Sequence, residues 1–298
     1  MDLDRLSIGF VGCGRLAKAL AWHAAERGLR VAGAASRLHS EAEELAQRLP
    51  GCAVLDAQAV ADRCDLVFVT TPDETIESAA RAVRWRRGTF AVHCSGATKV
   101  SALAKAAADG AHIGGFHPLQ TFGDPEAAAR SLPGCTVTVE AAQPLDALLV
   151  ALAQRLGCAV NRLPPGARPL YHAAAGYTSQ FVNALLHEAA AMWQSWGASE
   201  ESAVRALLPL VRGTVASIAQ AGLAQGMPGP VSRGDVASVR KHVQALERFG
   251  ADSVPLYRAL CERTVVLALA GHRIDAATAQ RVRGVLAQAG RPEPSRAA

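Results

Sequence analysis

The chain has 298 residues, of which 50% are hydrophobic and 19% charged, with a formal net charge of +5. That length exceeds the usual single domain and that apolar share excludes a disordered polypeptide, so two packed domains are expected. The basic balance does not point to nucleic acid. Only Lys18, Lys99, Lys105 and Lys241 are lysines, and the densest arginine group (Arg81, Arg84, Arg86, Arg87) falls at an expected helix end without interleaved aromatics.

In chain order, short apolar runs predict strands at 7–11, 31–35, 66–70, 89–93, 111–116, 135–139 and 159–163. Helical patterns at 16–27, 40–48, 74–84 and 101–108 lie between several of them. Strands alternating with helices imply a mainly parallel, doubly wound α/β sheet of the Rossmann type. The Pro164-Pro165-Gly166 break closes this region, giving an expected domain at 1–165. Beyond it only helical patterns occur, at 169–196, 199–220, 235–249, 253–270 and 276–289, which predict an all-helical domain at 166–290. The polar tail 291–298 is expected to be disordered.

Seven scattered cysteines, with no Cys-x-x-Cys pair, fit reduced thiols in a cytoplasmic protein and give no zinc-ligand pattern, so no metal is expected. The opening Met1-Asp2-Leu3-Asp4-Arg5 does not read as a secretory signal, and no uninterrupted apolar run of about 18 residues predicts a membrane span.

The first chemistry is in Gly12-Cys13-Gly14-Arg15-Leu16-Ala17, directly after the first strand. Gly12 permits a tight turn, Gly14 a close backbone approach to a pyrophosphate, and Ala17 close packing of helix on strand. The following helix directs its free N–H groups at the phosphates. At the end of the second strand, where an NAD site carries an acid, the chain reads Ser36-Arg37 with no acid before Glu41. A hydroxyl followed by a guanidinium suits a 2′-phosphate, so NADP(H) is expected over NAD. Thr70, Thr71 and Pro72 end the next core strand at the ligand-binding edge, and Ser95 follows the one after. His93 and Cys94, beside Ser95, read as packing or as chemistry.

On the substrate side, His117 and Gln120 lie in Phe116-His-Pro-Leu-Gln120, either facing the cleft or bonded within a rigid loop. On the helix at 169–196, the positions of His172, Ser179, Gln180, Asn183 and His187 fall within an arc of about 100°. Such a stripe lines a cleft or forms a wet face. Arg233 and Asp235 follow a Pro-Gly-Pro turn; Arg233 reads as a carboxylate holder or a structural ion pair, and Asp235 as a substrate group or an N-cap.

These motifs, together with Phe116-His117-Pro118, Tyr171-His172-Ala-Ala-Ala and Gly229-Pro230-x-Ser232-Arg233-Gly-Asp235, resemble bacterial proteins with a Rossmann-like domain followed by a DUF2520 domain. More distantly the chain is similar to the 6-phosphogluconate dehydrogenase-like superfamily, with its pyrroline-5-carboxylate, ketopantoate and β-hydroxyacid enzymes. The resemblance implies NAD(P)H binding, a helical domain that often dimerises, so that a homodimer is expected, and hydride transfer to a small oxo or imino acid carrying a carboxylate. A ketopantoate-like 2-oxo acid is one candidate. The catalytic Lys of two of those groups is missing, since no Lys occurs between Lys105 and Lys241. His172 is then the expected proton donor, because imidazole titrates near neutrality. Gln180 and Asn183 are expected to orient the substrate and Arg233 to hold its carboxylate. The alternative is a non-catalytic NADP-binding sensor.

Overall fold

The computed structural model describes residues 2–164, 166–250 and 252–288, and the tail at 291–298 lies outside them. The chain forms two compact units, Met1–Ser179 and Gln180–Ala298.

The first unit opens with β1 (Ser7–Val11), α1 (Arg15–Glu26), β2 (Arg30–Ala35), α2 (His39–Gln47), β3 (Ala53–Val54) and α3 (Ala57–Arg63). It continues through β4 (Leu66–Val69), α4 (Ile76–Arg81), β5 (Phe90–His93), α5 (Ala104–Ala108) and β6 (His112–Pro118). It ends with α6 (Pro125–Ser131), β7 (Thr136–Ala141), α7 (Leu145–Arg155), β8 (Ala159–Arg162) and α8 (Arg168–Tyr177). The eight strands lie in the order β3-β2-β1-β4-β5-β6-β7-β8. Every neighbouring pair is parallel except β6–β7. Residues 7–11 are buried throughout because helices cover both faces of the sheet.

Alternate residues feed two cores. Phe10, Phe68 and Phe116 stand side by side on one face, with ring centroids 5.4 and 5.6 Å apart. Val11, Val67, Val69 and Ala91 face the other way, against α3 and α4. Each fully buried Phe is worth about 1.5–3 kcal/mol of hydrophobic transfer, so the ring row is a principal anchor of the central strands. The arginine group at and beyond the end of α4 is more engaged than a solvated helix end. Arg81 pairs with Glu77 at 2.7 Å, and Arg86 donates to the Ala61 and Cys64 carbonyls at 3.3 and 3.0 Å.

The second unit holds α9 (Gln180–Gln194), α10 (Glu200–Gln225), α11 (Val236–Phe249), α12 (Ser253–Ala270) and α13 (Ala276–Gln288). Val239, Val243, Val265, Val282 and Leu286 are among the side chains of its core. Helix α10 is long and apolar enough, by length and composition, to cross a membrane, with a mean hydropathy of 1.3. Arg205 and Arg212 interrupt its apolar run, which is why a search for an uninterrupted run passes over it.

The single helix expected at 169–196 is corrected. The structure has two, α8 and α9, parted at Thr178-Ser179. Both hydroxyls turn back onto the Ala175 carbonyl, at 3.2 and 2.8 Å, and so compete with continuation of the helix. The polar stripe is therefore not one helix face: His172 lies on α8 and Gln180, Asn183 and His187 on α9. Strand β3 and helices α3, α6 and α7 had no counterpart in the sequence reading. Helix α7 had a legible signal, since its buried Leu145, Leu148, Leu149 and Leu152 follow helical spacing.

Candidate functional site

The strand order reverses direction at β1, with β2 on one side and β4 on the other. Open α/β sheets bind ligands at the carboxyl ends of strands at such a switch point. A cleft of about 830 Å³ lies there. Gly12, Cys13, Gly14, Arg15, Leu16, Ser36, Arg37, Thr70, Thr71, Pro72 and Ser95 all line it.

The turn after β1 is tied to both neighbours. Gly12 N–H donates to the Ala35 carbonyl at 2.8 Å, and the Thr70 hydroxyl donates to the Gly12 carbonyl at 2.7 Å. Gly12 has φ +96°, and a Cβ there would sit 2.7 Å from the backbone of Thr70 and Thr71, so only glycine fits. Gly14 is different: a Cβ there would meet nothing within 4 Å, so its backbone borders open space. It is also the N-cap of α1 and makes no side-chain cap, which leaves the first N–H groups of a 12-residue helix without a side-chain acceptor. The Thr71 hydroxyl is buried with no hydrogen-bond partner. An open glycine at an uncapped helix start and an orphaned hydroxyl fit a ligand that brings hydrogen-bond acceptors. Cys13 takes no obvious part, since burial pushes its thiol up to about 12.

At the β2 end, Arg37 is exposed and Ser36 half-buried. The first acid after them, Glu41, is bound 2.6 Å from Lys18, a lysine whose side chain is only 6% exposed. With that carboxylate occupied, Arg37 keeps a guanidinium suited to a phosphate.

The cleft's other end reaches Ser95, and a cluster that the sequence reading only partly foresaw lies beside it. Arg168, on the first turn of α8, is 4% exposed. Its Nη1 donates to the Ser95 carbonyl at 2.8 Å, and Nε and Nη2 both reach Glu140 of β7. One guanidinium thus fastens the loop after β5 to β7 and α8. Gly96 sits where its missing Cβ would meet His172 at 2.8 Å and His117 at 2.9 Å, so two imidazoles occupy its side-chain space. His117 Nδ1 is 2.6 Å from the Tyr171 hydroxyl. Burial, with His172 and Arg168 nearby, lowers His117 to about 4. His93 is fully buried with Nδ1 accepting from Ser95 N–H at 3.2 Å, and burial, then Arg168 and His117, lowers it to about 4 as well. Burial pushes the Cys94 thiol up. The geometry gives His93 Nδ1 a loop-holding place, while its buried Nε2 has no hydrogen-bond partner among the described residues.

Other candidates stand elsewhere. Gln120 folds onto its own loop, donating to the Ser131 carbonyl at 3.3 Å and accepting from Thr121 N–H at 2.8 Å. The Ser179 hydroxyl is spent on Ala175, and Asp235 caps α11 through Ser238 N–H at 3.0 Å. In the second unit, Gln180 and Asn183 lie on the first turn of α9, and Arg233 is exposed at the end of a 3-10 turn, Val231–Arg233. Among the described residues no group of three His, Cys, Asp or Glu is placed to hold a metal. Arg168 and Tyr171 were missed because their significance needs the sheet; the motif Tyr171-His172 was noticed for its second residue.

Residues 1–118 match the family model of a Rossmann-like domain, and residues 135–264 that of a domain of unknown function, DUF2520. No curated protein matches the chain. Among solved structures, a Bacteroides fragilis protein assigned as an NADP oxidoreductase is 24% identical, with a TM-score of 0.68 over 89% of this chain and 99% of its own. Protein TM1727 of Thermotoga maritima is 22% identical, with a TM-score of 0.74 over 89% and 99%. Pyrroline carboxylate reductase of Plasmodium falciparum, solved with NADP bound, is 12% identical, with a TM-score of 0.60 over 90% and 100%. What this chain shares with the three is the fold.

Proposed function

We propose that this chain, a Rossmann-like domain followed by a DUF2520 domain, is an NADP(H)-dependent reductase of small oxo or imino acids. The observation that carries the reading is the switch-point cleft, where an open Gly14 and an uncapped helix start stand at one side and an exposed Arg37 at another. In this reading the turn and the start of α1 hold the pyrophosphate, Ser36 and Arg37 the 2′-phosphate, and Thr70, Thr71 and Pro72 the ribose. Bound NADPH supplies the hydride. The residues around Gly96 then border the reacting end, and His172 places an imidazole there. The NADP oxidoreductase and the NADP-bound reductase of similar fold support the same cofactor and reaction type. The roles of Gln180, Asn183 and Arg233 rest on residue type and order along the chain.

The second unit supports a homodimer. Leu210, Val215 and Leu223 of α10 are 65, 60 and 64% exposed, and a second copy packed on this helix would take such side chains out of water. Light scattering on the purified chain tests it; a monomer at all concentrations sinks it. Seven free cysteines, four of them with thiols pushed up by burial to about 11 or beyond, suit a reducing cytoplasm.

The test is titration of nicotinamide fluorescence with NADPH and NADH, followed by NADPH oxidation against 2-oxo acids, ketopantoate among them, and cyclic imines. NADPH preference with turnover supports the reading. NADPH binding with no turnover on any substrate identifies a sensor instead, and no binding removes both.

A further inference from the structure

The polar side chains beside Gly96 form a hydrogen-bonded row with a direction. His117 and Thr138 are register partners across β6–β7, and Thr138 and Asn161 are partners across β7–β8. Partners on neighbouring strands project to the same face, so the three side chains stand in line across three strands. Asn161 Nδ2 donates to Thr138 Oγ1 at 3.1 Å. With its oxygen accepting there, the buried Thr138 hydroxyl still has one proton to give, and it stands near enough to the Tyr171 phenol to work against the rise that burial imposes on it. Tyr171 has one proton in turn, and His117 Nδ1 is 2.6 Å away. An imidazole whose Nδ1 accepts carries its proton on Nε2. Nε2 is an atom that lies against Gly96, the neighbour of cleft-lining Ser95.

We propose that His117, not His172, protonates the oxygen of a reduced carbonyl through Nε2–H, with Tyr171 passing its own proton to Nδ1. The proposal rests on the reductase reading and narrows it to substrates whose oxygen must be protonated. As hydride reaches the carbonyl carbon, the C=O π pair moves onto oxygen. The Nε2–H bond breaks and an O–H bond forms. The Tyr171 O–H bond breaks and an Nδ1–H bond forms, leaving a neutral ring and a phenolate near Arg168. In one concerted return step a water gives a proton to Nε2, leaving hydroxide to the solvent, as the Nδ1 proton passes back to the phenolate. His117 never becomes an imidazolium, in keeping with a ring lowered to about 4. Thr138 and Asn161 are positioning residues that fix the tautomer. The charged and titratable groups facing the pair are Arg168 and His172 on α8, His93 at the end of β5, Asp73 after β4 and Cys135 ahead of β7.

The test compares the full chain with Tyr171→Phe, His117→Gln and His172→Gln. Readouts are NADPH binding, kcat and KM for the best 2-oxo acid across pH, and nitrogen NMR of the histidine rings. Tyr171→Phe is expected to bind NADPH normally, keep KM, and lose kcat by about 10²–10⁴-fold. The alkaline fall of the parent's kcat profile, set by Tyr171, should vanish with it. In the parent the His117 proton should sit on Nε2, and in Tyr171→Phe divide between the two nitrogens. A parent ring protonated on Nδ1 overturns the relay, as does Tyr171→Phe turning over like the parent while His172→Gln does not. If the NADPH-bound parent itself reduces no carbonyl, the reductase reading fails and takes the relay with it. That failure is distinct, because it shows in the parent rather than in a variant.

Discussion

Lys18 and Glu41 meet at 2.6 Å, and the same amine reaches Glu44 at 2.6 Å. Burial by itself disfavours a charged lysine, yet the bonds to Glu41 and Glu44 outweigh it and raise the amine above its ordinary value. The lysine thereby occupies the acid that stands nearest in sequence to Ser36-Arg37. Lys18→Met should release Glu41 and weaken NADPH relative to NADH. Arg37→Met should weaken NADPH by about 10–100-fold, the equivalent of a charge-assisted hydrogen bond, and leave NADH unchanged. Paired fluorescence titrations measure both. Equal losses for the two nucleotides would remove the 2′-phosphate assignment.

Gly12→Ala is expected to cost about 1–3 kcal/mol from the positive φ alone, before its clash with the Thr70–Thr71 backbone is counted. Urea unfolding should register that loss, and NADPH binding should disappear. Gly14→Ala, whose added carbon meets open space, should leave the urea midpoint near the parent's and still hinder the nucleotide. A Gly14→Ala chain that binds NADPH normally shows that the pyrophosphate lies elsewhere.

Arg168→Met leaves the Ser95 and Gly96 carbonyls without their donor and Glu140 without its cation. Breaking a buried pair costs about 3–5 kcal/mol, and because Glu140 is a third exposed a loss of about 2–4 kcal/mol is expected. Glu140→Gln, which keeps a carbonyl oxygen as acceptor, should cost less. Chemical denaturation of the two variants orders them; the reverse order would contradict the clamp.

His93 and His117 make stability depend on acid. Both are lowered in the folded chain to about 4 from an ordinary 6.5. The unfolded chain therefore binds more protons between those values. The part of stability that the two rings contribute should be complete above about 6.5, fall as pH drops toward 4, and flatten below that. Urea midpoints across this window measure the slope. His93→Gln and His117→Gln should each make it shallower, and an unchanged slope in both would show that other groups govern it.

Much of the sheet is written in local pattern. Runs such as 66–69 and 90–93 are buried throughout because both faces are covered, and Gly12 directly after β1 announces the nucleotide turn. Two residues of β3 were too short to leave a pattern, and the break after Tyr177 depends on hydroxyls that bond backwards, which a periodicity count does not weigh. The cluster near Gly96 was legible only in fragments. His117 and His172 each stood out in a motif, whereas Thr138 and Asn161 are unremarkable until strand register sets them beside His117. Arg168 stands one residue ahead of the helix expected at 169–196 and carries no motif; its burial is a tertiary fact.

The grip of Arg168 on the Ser95 and Gly96 carbonyls couples the loop after β5 to helix α8. A ligand that prefers the gripped loop must, by reciprocity, be preferred by molecules in which α8 is wound. Amide hydrogen exchange across Arg168–Tyr177 should therefore slow as the cleft fills, and Arg168→Met should abolish that response. The helix then reports occupancy of the nucleotide cleft, which none of its own residues line.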